Sequence, residues 1–235
     1  GNCAQRGGAT FAAGTQQGHP VSKDRGRERL SGMPGWIRIL CCLGLLFAAH
    51  ASRATSEVEK LLDAAIAQVG VTTSYDPAYV PLAYPGGDVP LDRGVCSDVL
   101  IRAFRAVDVD LQVEVHEDMS AHFSKYPRLW GLRRADANID HRRVPNLETW
   151  FNRRGKALPL RGDASDFLPG DVVSWRLDNG LPHVGLVLRQ RSADGARPLV
   201  IHNIGVGTQV EDVLLQWKIN GHFRYFPVPT STPAH

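Results

Sequence analysis

Residues 168–176 read Leu168-Pro169-Gly170-Asp171-Val172-Val173-Ser174-Trp175-Arg176, and residues 183–189 read His183-Val184-Gly185-Leu186-Val187-Leu188-Arg189. Between them lies Asp178-Asn179-Gly180, a dipeptide-plus-glycine signal that favours a tight hairpin connection. Both runs are short, rich in β-branched residues and bounded by breakers, which marks strands rather than helices. Leu199–Asn203 and His222–Phe226 repeat the pattern, with Asp194-Gly195 as a further turn. From Pro169 onward the chain is therefore expected to form an antiparallel sheet.

Upstream the period changes. Ser56-Glu57-Val58-Glu59 is a capping box, followed by Val58, Leu61, Leu62, Ala65 and Val69 at helical spacing until Gly70. Residues 71–95 are rich in Pro, Gly, Asp and Tyr, and Tyr84-Pro85-Gly86-Gly87 is their strongest turn. A second helix is expected from Cys96 to about Asp108, because Val99, Leu100, Ala103, Phe104 and Val107 form an apolar stripe. Two short helices are expected near Asp118–Lys125 and, after Pro145, near Asn146–Arg154. Helices first and an antiparallel sheet afterwards predict a single α+β domain, with N-terminal helices packed on a C-terminal sheet.

Ahead of this domain, Met33 to Ala51 reads as a signal peptide. Arg38 supplies the positive charge, Ile39–Ala49 the apolar stretch, and Ala49-His50-Ala51 the small-residue cleavage pattern that would release a chain starting at Ser52. The apolar run is short for a bilayer span, so no stable membrane anchor is expected after cleavage, and the product is expected to be exported, periplasmic or secreted. Residues 1–32 are polar and Gly-rich without periodicity and read as an extension outside the fold; residues 52–235 make the domain.

The charge divides in the same place. Of 27 Lys and Arg and 24 Asp and Glu, six basic and two acidic residues precede position 52, leaving 21 against 22 beyond it. The folded part is thus near neutral, which argues against a nucleic-acid partner.

Three of the four cysteines, Cys3, Cys41 and Cys42, fall before the expected cleavage, so Cys96 is the lone thiol of the mature chain. A free cysteine is ordinarily a small buried hydrophobe. Its position at a helix start speaks for a second reading, because unpaired N–H groups and the dipole there favour a thiolate nucleophile. Such a thiol needs a base, and the base a partner that orients it. His183 at the head of a strand can be the base, with Gly185 on the same face leaving room above the sheet. His202 or its neighbour Asn203 can be the orienting group; adjacent strand residues face opposite ways, so only one of them can serve. Asp140-His141-Arg142-Arg143 is either a solvated charged loop or a fork for a substrate carboxylate, with Arg142 as the candidate. His116, His122 and His141 lack metal-ligand spacing, so neither a metal nor any other cofactor is expected.

The segments just quoted resemble, in order, those of the NlpC-type cell-wall cysteine peptidases, a rearranged branch of the papain-like fold. Tyr84-Pro85-Gly86-Gly87 is similar to that family's Tyr-x-Gly-Gly loop, Val95-Cys96-Ser97-Asp98 to its Asp-Cys-Ser-Gly turn, and Leu168-Pro169-Gly170-Asp171 to its Pro-Gly-Asp strand entry. His183-Val184-Gly185-Leu186 resembles its His-Val-Gly strand, and Val200-Ile201-His202-Asn203 the strand with its third polar residue. The resemblance implies a papain-like fold, Cys96 as nucleophile, His183 as base, His202 as third residue, Tyr84 near the oxyanion, and a peptidoglycan stem peptide as substrate. Val95 and Asp98 depart from the pattern, and the segment from Cys96 to Pro169 is longer. The whole chain also resembles a group of exported bacterial proteins known as a domain of unknown function. Papain-like frames also host amidases, acyltransferases and thioesterases, and a binding protein without turnover or a structural protein with a buried thiol are the readings of another class.

Overall fold

The computed structural model describes residues 56–226, so the leader and residues 1–32 lie outside the described residues. Helix α1 (56–66) starts at the expected capping box and buries Leu61, Leu62 and Ala65. It stops a turn earlier than its apolar spacing suggests, leaving Val69 exposed before Gly70 turns at a positive φ of 76°. Two short strands that carry no pattern of their own follow. β1 (Ser74–Tyr75) and β2 (Arg93–Gly94) pair in parallel, with Tyr75 opposite Gly94.

α2 (Cys96–Arg105) begins at the expected residue. Val95 precedes it and has no side-chain acceptor, so the usual cap is missing; instead the Asp98 carboxylate reaches back and accepts from Val95 N at 2.7 Å. Val99, Leu100, Ala103 and Phe104 form its buried face. α3 is Leu111–Ala121: it starts seven residues ahead of the expected Asp118–Lys125 and ends within that range, whose last three residues form a 3-10 turn (Phe123–Lys125). The reason is local: Asp110 caps the helix by accepting from Gln112 N at 3.0 Å, and Leu111, Val115 and Met119 bury at four-residue spacing. α4 (Val144–Arg153) carries Pro145 in its first turn, where the missing N–H costs nothing.

The sheet contains β3 (Val172–Arg176), β4 (Pro182–Arg191), β5 (Pro198–Asn203), β6 (Thr208–Glu211) and β7 (Lys218–Phe223) in the order β6-β5-β4-β3-β7. All neighbours are antiparallel. β6 is an addition to the expected set, and the last strand runs Lys218–Phe223 rather than His222–Phe226. Pleat alternation divides the side chains: Val172, Val184, Leu186, Leu188 and Ile201 join the helices in the main core. Val173, Trp175, Val187 and Val200 form a smaller cluster with Val213 and Leu214 on the other face. The Pro-Gly-Asp entry has a structural use, because Asp171 accepts from Arg224 Nε and pairs with His222 Nε2, both at 2.7 Å, tying β3 to the end of β7. The architecture is α+β, as expected. No helix among the described residues is long and apolar enough to cross a membrane.

Candidate active site

Cys96 occupies the first position of α2 and is 4% exposed. The backbone N–H groups of Val184, Ser97 and Cys96 itself lie near enough to its sulfur to favour its charged form. The first of these brings the head of β4 against the thiol. Burial nevertheless dominates and pushes the thiol up to about 12, with the Asp98 charge adding to it and the N–H groups opposing it. At neutral pH the resting group is therefore a thiol, in contrast to the thiolate expected from helix position alone.

Asp98, in the first turn of α2, has its charge matched locally. Arg142 donates to it from Nε (3.0 Å to Oδ1) and Nη2 (3.0 Å to Oδ2), and both side chains are nearly inaccessible. The same guanidinium donates to Ala78 O at 3.1 Å and Asp76 O at 3.3 Å, while Ser97 Oγ donates to Arg142 O at 2.7 Å. Arg142 is thus engaged inside the protein in place of the substrate contact expected of it. The stretch Asp140–Arg142 is a buried 3-10 turn instead of a solvated loop.

The base side is built from β4, β5 and β6. His183 Nε2 lies 2.9 Å from His202 Nδ1, the two rings standing at 82°. Trp175 stacks against His183 with centroids 5.7 Å apart, and Trp217 meets both imidazoles edge-on. Gly185 leaves room on this face, and Trp175 and Val200 fill it: a Cβ there would come within 2.6 Å of Val200 Cγ1. Glu211 Oε2 stands 2.9 Å from His202 Nε2, an ion-pair distance without the alignment of a linear hydrogen bond.

The carboxylate beside Nε2 favours the tautomer that keeps the His202 proton there; in that tautomer His202 Nδ1 accepts, His183 donates from Nε2, and His183 Nδ1 is left as a base. Burial pushes His183 down to about 3, and the neighbouring His202 adds to the shift. His202 is lowered by burial as well, with Glu211 opposing. The imidazoles rest neutral, like the thiol, but the structure does not bring the two together: His183 and His202 share the sheet face of Trp175 and Trp217, Cys96 lies in the helix-side core, and no hydrogen bond joins Cys96 to His183.

Asn203 takes the other face of β5. Its amide donates to Gly94 O at 3.0 Å and Ser74 O at 3.2 Å, fastening the β1–β2 pair beneath the cysteine loop. Of the two candidates for orienting the base, His202 therefore meets His183 and Asn203 positions the loop that carries Cys96. Tyr84 is not brought to the thiol: it is exposed, donates to Glu117 Oε1 at 3.4 Å and meets His116 edge-on. The tyrosine beside the thiol is Tyr75. Burial pushes its phenol up to about 12, the charges of Cys96 and Asp98 add to this, and Arg142 opposes it. Sequence reasoning passed over Tyr75 because only its pairing with Gly94 places it there. It passed over Glu211 because β6 lacks a clear strand pattern.

A cavity of about 800 Å³ lies elsewhere, between α3 and residues 131–138; neither Cys96 nor His183 lines it. Among the described residues no three His, Cys, Asp or Glu side chains are grouped so as to hold a metal ion.

The protein described as "Uncharacterized protein YijF" from Escherichia coli (strain K12) is 61% identical to this chain over 166 residues, which cover 71% of this chain and 80% of that protein. A family model described as "Domain of unknown function (DUF1287)" matches residues 62–225, a span that holds Tyr75, Cys96, Arg142, His183, His202, Asn203 and Glu211. With the greater part of its length matched, the chain belongs to the DUF1287 family.

Proposed function

We propose that the protein is an exported cysteine hydrolase of papain-like, NlpC-type character that cleaves amide bonds in peptidoglycan stem peptides. The observation that carries this reading is the packing of Cys96, at the head of α2, in one core with Val184 of β4, the residue after a histidine that meets His202, itself beside Glu211. In this reading the His183 ring turns from the Trp175 face toward Cys96 when substrate is bound, and because thiol and imidazole both rest neutral, His183 Nδ1 takes the proton while sulfur attacks the carbonyl. The Cys96 N–H and the Tyr75 hydroxyl are the donors at hand for the oxyanion. The imidazolium then protonates the departing amine, leaving a thioester. Water, deprotonated by His183, attacks that thioester; the acid leaves and the thiol is restored. The Arg38-to-Ala51 leader pattern supports export.

Incubating purified stem peptides with the wild type, C96A and H183A and following products by mass spectrometry tests this. Each substitution is expected to lower turnover by about 10³-fold or more. Undiminished cleavage by C96A sinks the mechanism.

The buried thiol without a bond to His183 favours a second reading, a wall-fragment binding protein that does not turn over. In that case C96S keeps its affinity for the same peptides and no product forms with any variant.

A further inference from the structure

The cavity between α3 and residues 131–138 has a wall rich in polar side chains. His116, on α3, lines it and places Nδ1 3.1 Å from Asp140 Oδ2. Asp140 is fully buried; the same oxygen accepts from Asp136 N at 2.6 Å, and Oδ1 has no partner. His116 is the side chain in contact with this buried carboxylate, and the contact fixes its ring in the cavity wall. With Nδ1 engaged, Nε2 is the ring nitrogen left to meet a ligand. Arg133 and Arg134 also line the cavity, and among the described residues neither pairs with a carboxylate. The one acid in the wall, Asp136, is already occupied: Tyr79 OH donates to it at 3.0 Å and Asn138 from N at 3.0 Å and Nδ2 at 2.9 Å. Donors without acceptors therefore converge on this space.

The cavity is tied to the thiol by one strip of chain. Tyr75 stands beside Cys96 and Tyr79 lines the cavity, with Arg142 holding the carbonyls of Asp76 and Ala78 between them. Four residue steps span at most about 14 Å, a reach of a few residues for a peptide held at Cys96. The volume is far larger than an inorganic oxyanion requires.

We propose that this cavity is a subsite for the carboxylate of an acidic peptide, received by His116, Arg133 and Arg134 while another part of the peptide lies at Cys96. The assignment rests on the hydrolase reading for its connection to catalysis, and its test does not need turnover. The C96A protein is titrated with an N-acetylated Ala-Glu-Lys-Ala peptide bearing free carboxylates, with the same peptide amidated at both carboxyls, and with inorganic phosphate. Affinity is read by calorimetry and the His116 ring by NMR.

The acidic peptide is expected to bind and shift the His116 resonances, and amidation or R133A/R134A to weaken binding by roughly tenfold or more, the size of a lost charge-assisted contact. H116Q, which keeps a polar side chain, should weaken it in the same direction. Equal affinity of acidic and amidated peptides, an unmoved His116 ring, or phosphate binding as tightly as the peptide each overturns the proposal. If the acidic peptide binds here and the wild type cleaves no peptide, the hydrolase reading fails and the subsite stands. If the wild type cleaves both peptides with equal kcat/KM, the subsite fails and the hydrolase reading stands.

Discussion

The two halves of the candidate site are held by different physics. The cysteine side is fixed by charge and backbone: a buried Asp98–Arg142 pair, carbonyls gathered by the same guanidinium, and the Asn203 amide under the loop. The histidine side is fixed by packing and proton direction: Trp175 stacked on His183, Trp217 edge-on, and a chain of acceptors from Glu211 to His183. Charge holds tightly and fails abruptly when one partner is removed. Stacked neutral rings tolerate a change more gradually. The difference implies that damage to the cysteine side should appear as lost stability, and damage to the histidine side as altered protonation.

The sharpest way to break the comparison is R142A. It leaves the Asp98 carboxylate buried without its cation and releases residues 76–78, so a loss of about 3–5 kcal/mol in urea unfolding is expected. R142K restores the charge without the two-pronged contact and should recover part of it. A loss below about 1 kcal/mol would show that the charge pair does not dominate this side.

pH separates the halves in opposite windows. His183 is held near 3, below its unfolded value of about 6.5, so the unfolded chain takes up the proton first on acidification. Stability should fall from about pH 6.5 toward pH 3 by up to about 1.4 kcal/mol per unit for this residue. His141, buried and pushed down to about 3 by desolvation and by the Arg105 and Arg142 charges, behaves likewise, so H183N flattens only part of the acid limb. Cys96 is held near 12, so above about pH 9 the unfolded thiol ionises while the folded one does not, and stability falls as pH rises. C96S should remove that alkaline contribution and leave the acid limb intact. Alkylation of native Cys96 at neutral pH should accordingly be slower than that of a free thiol, and fast labelling near pH 6 would contradict the neutral resting state.

N203A is a smaller lesion of the cysteine side. Gly94 O and Ser74 O lose a donor, and a thermal-denaturation shift equivalent to about 1–2 kcal/mol is expected. The smallest effect on stability belongs to E211Q. Glu211 is partly exposed, so less than about 1 kcal/mol should be lost. The imidazole ¹⁵N resonances of His202 and His183 should nevertheless move, because the group that holds the His202 proton on Nε2 has changed. Unchanged resonances would remove Glu211 from the proton chain.

Much of this was legible in the residues. Cys96 opens its helix because an apolar stripe starts there after a breaker-rich loop, and β3 to β5 appear where valines and leucines cluster between turns. The pleat rule that made His202 and Asn203 exclusive alternatives also gave each its place. Other parts needed tertiary information. β6 is a short edge strand of mixed polarity, the kind that resists pattern reading, and it brings Glu211. Asn220-Gly221 reads alone as a turn, which hid the first half of β7. Tyr84 carries the motif while Tyr75 holds the position, because a two-residue parallel pairing leaves no periodic trace. Asp98 looked like a first-turn acid; its partner stands 44 residues away, on a turn whose charges suggested solvent.

Asn203 also has a consequence for the order of events during synthesis. Its amide joins positions 129 and 109 residues earlier in the chain, and His202 beside it orients an imidazole 19 residues back. Long-separated contacts of this kind close late, after the segments between them have been made. A nascent chain can therefore form its first helices and expose Cys96 without having a seated loop or a directed base. The thiol acquires its surroundings only when the last third of the domain has been translated, so an unfinished or truncated polypeptide carries Cys96 as an ordinary accessible thiol, more open to alkylation than in the finished fold.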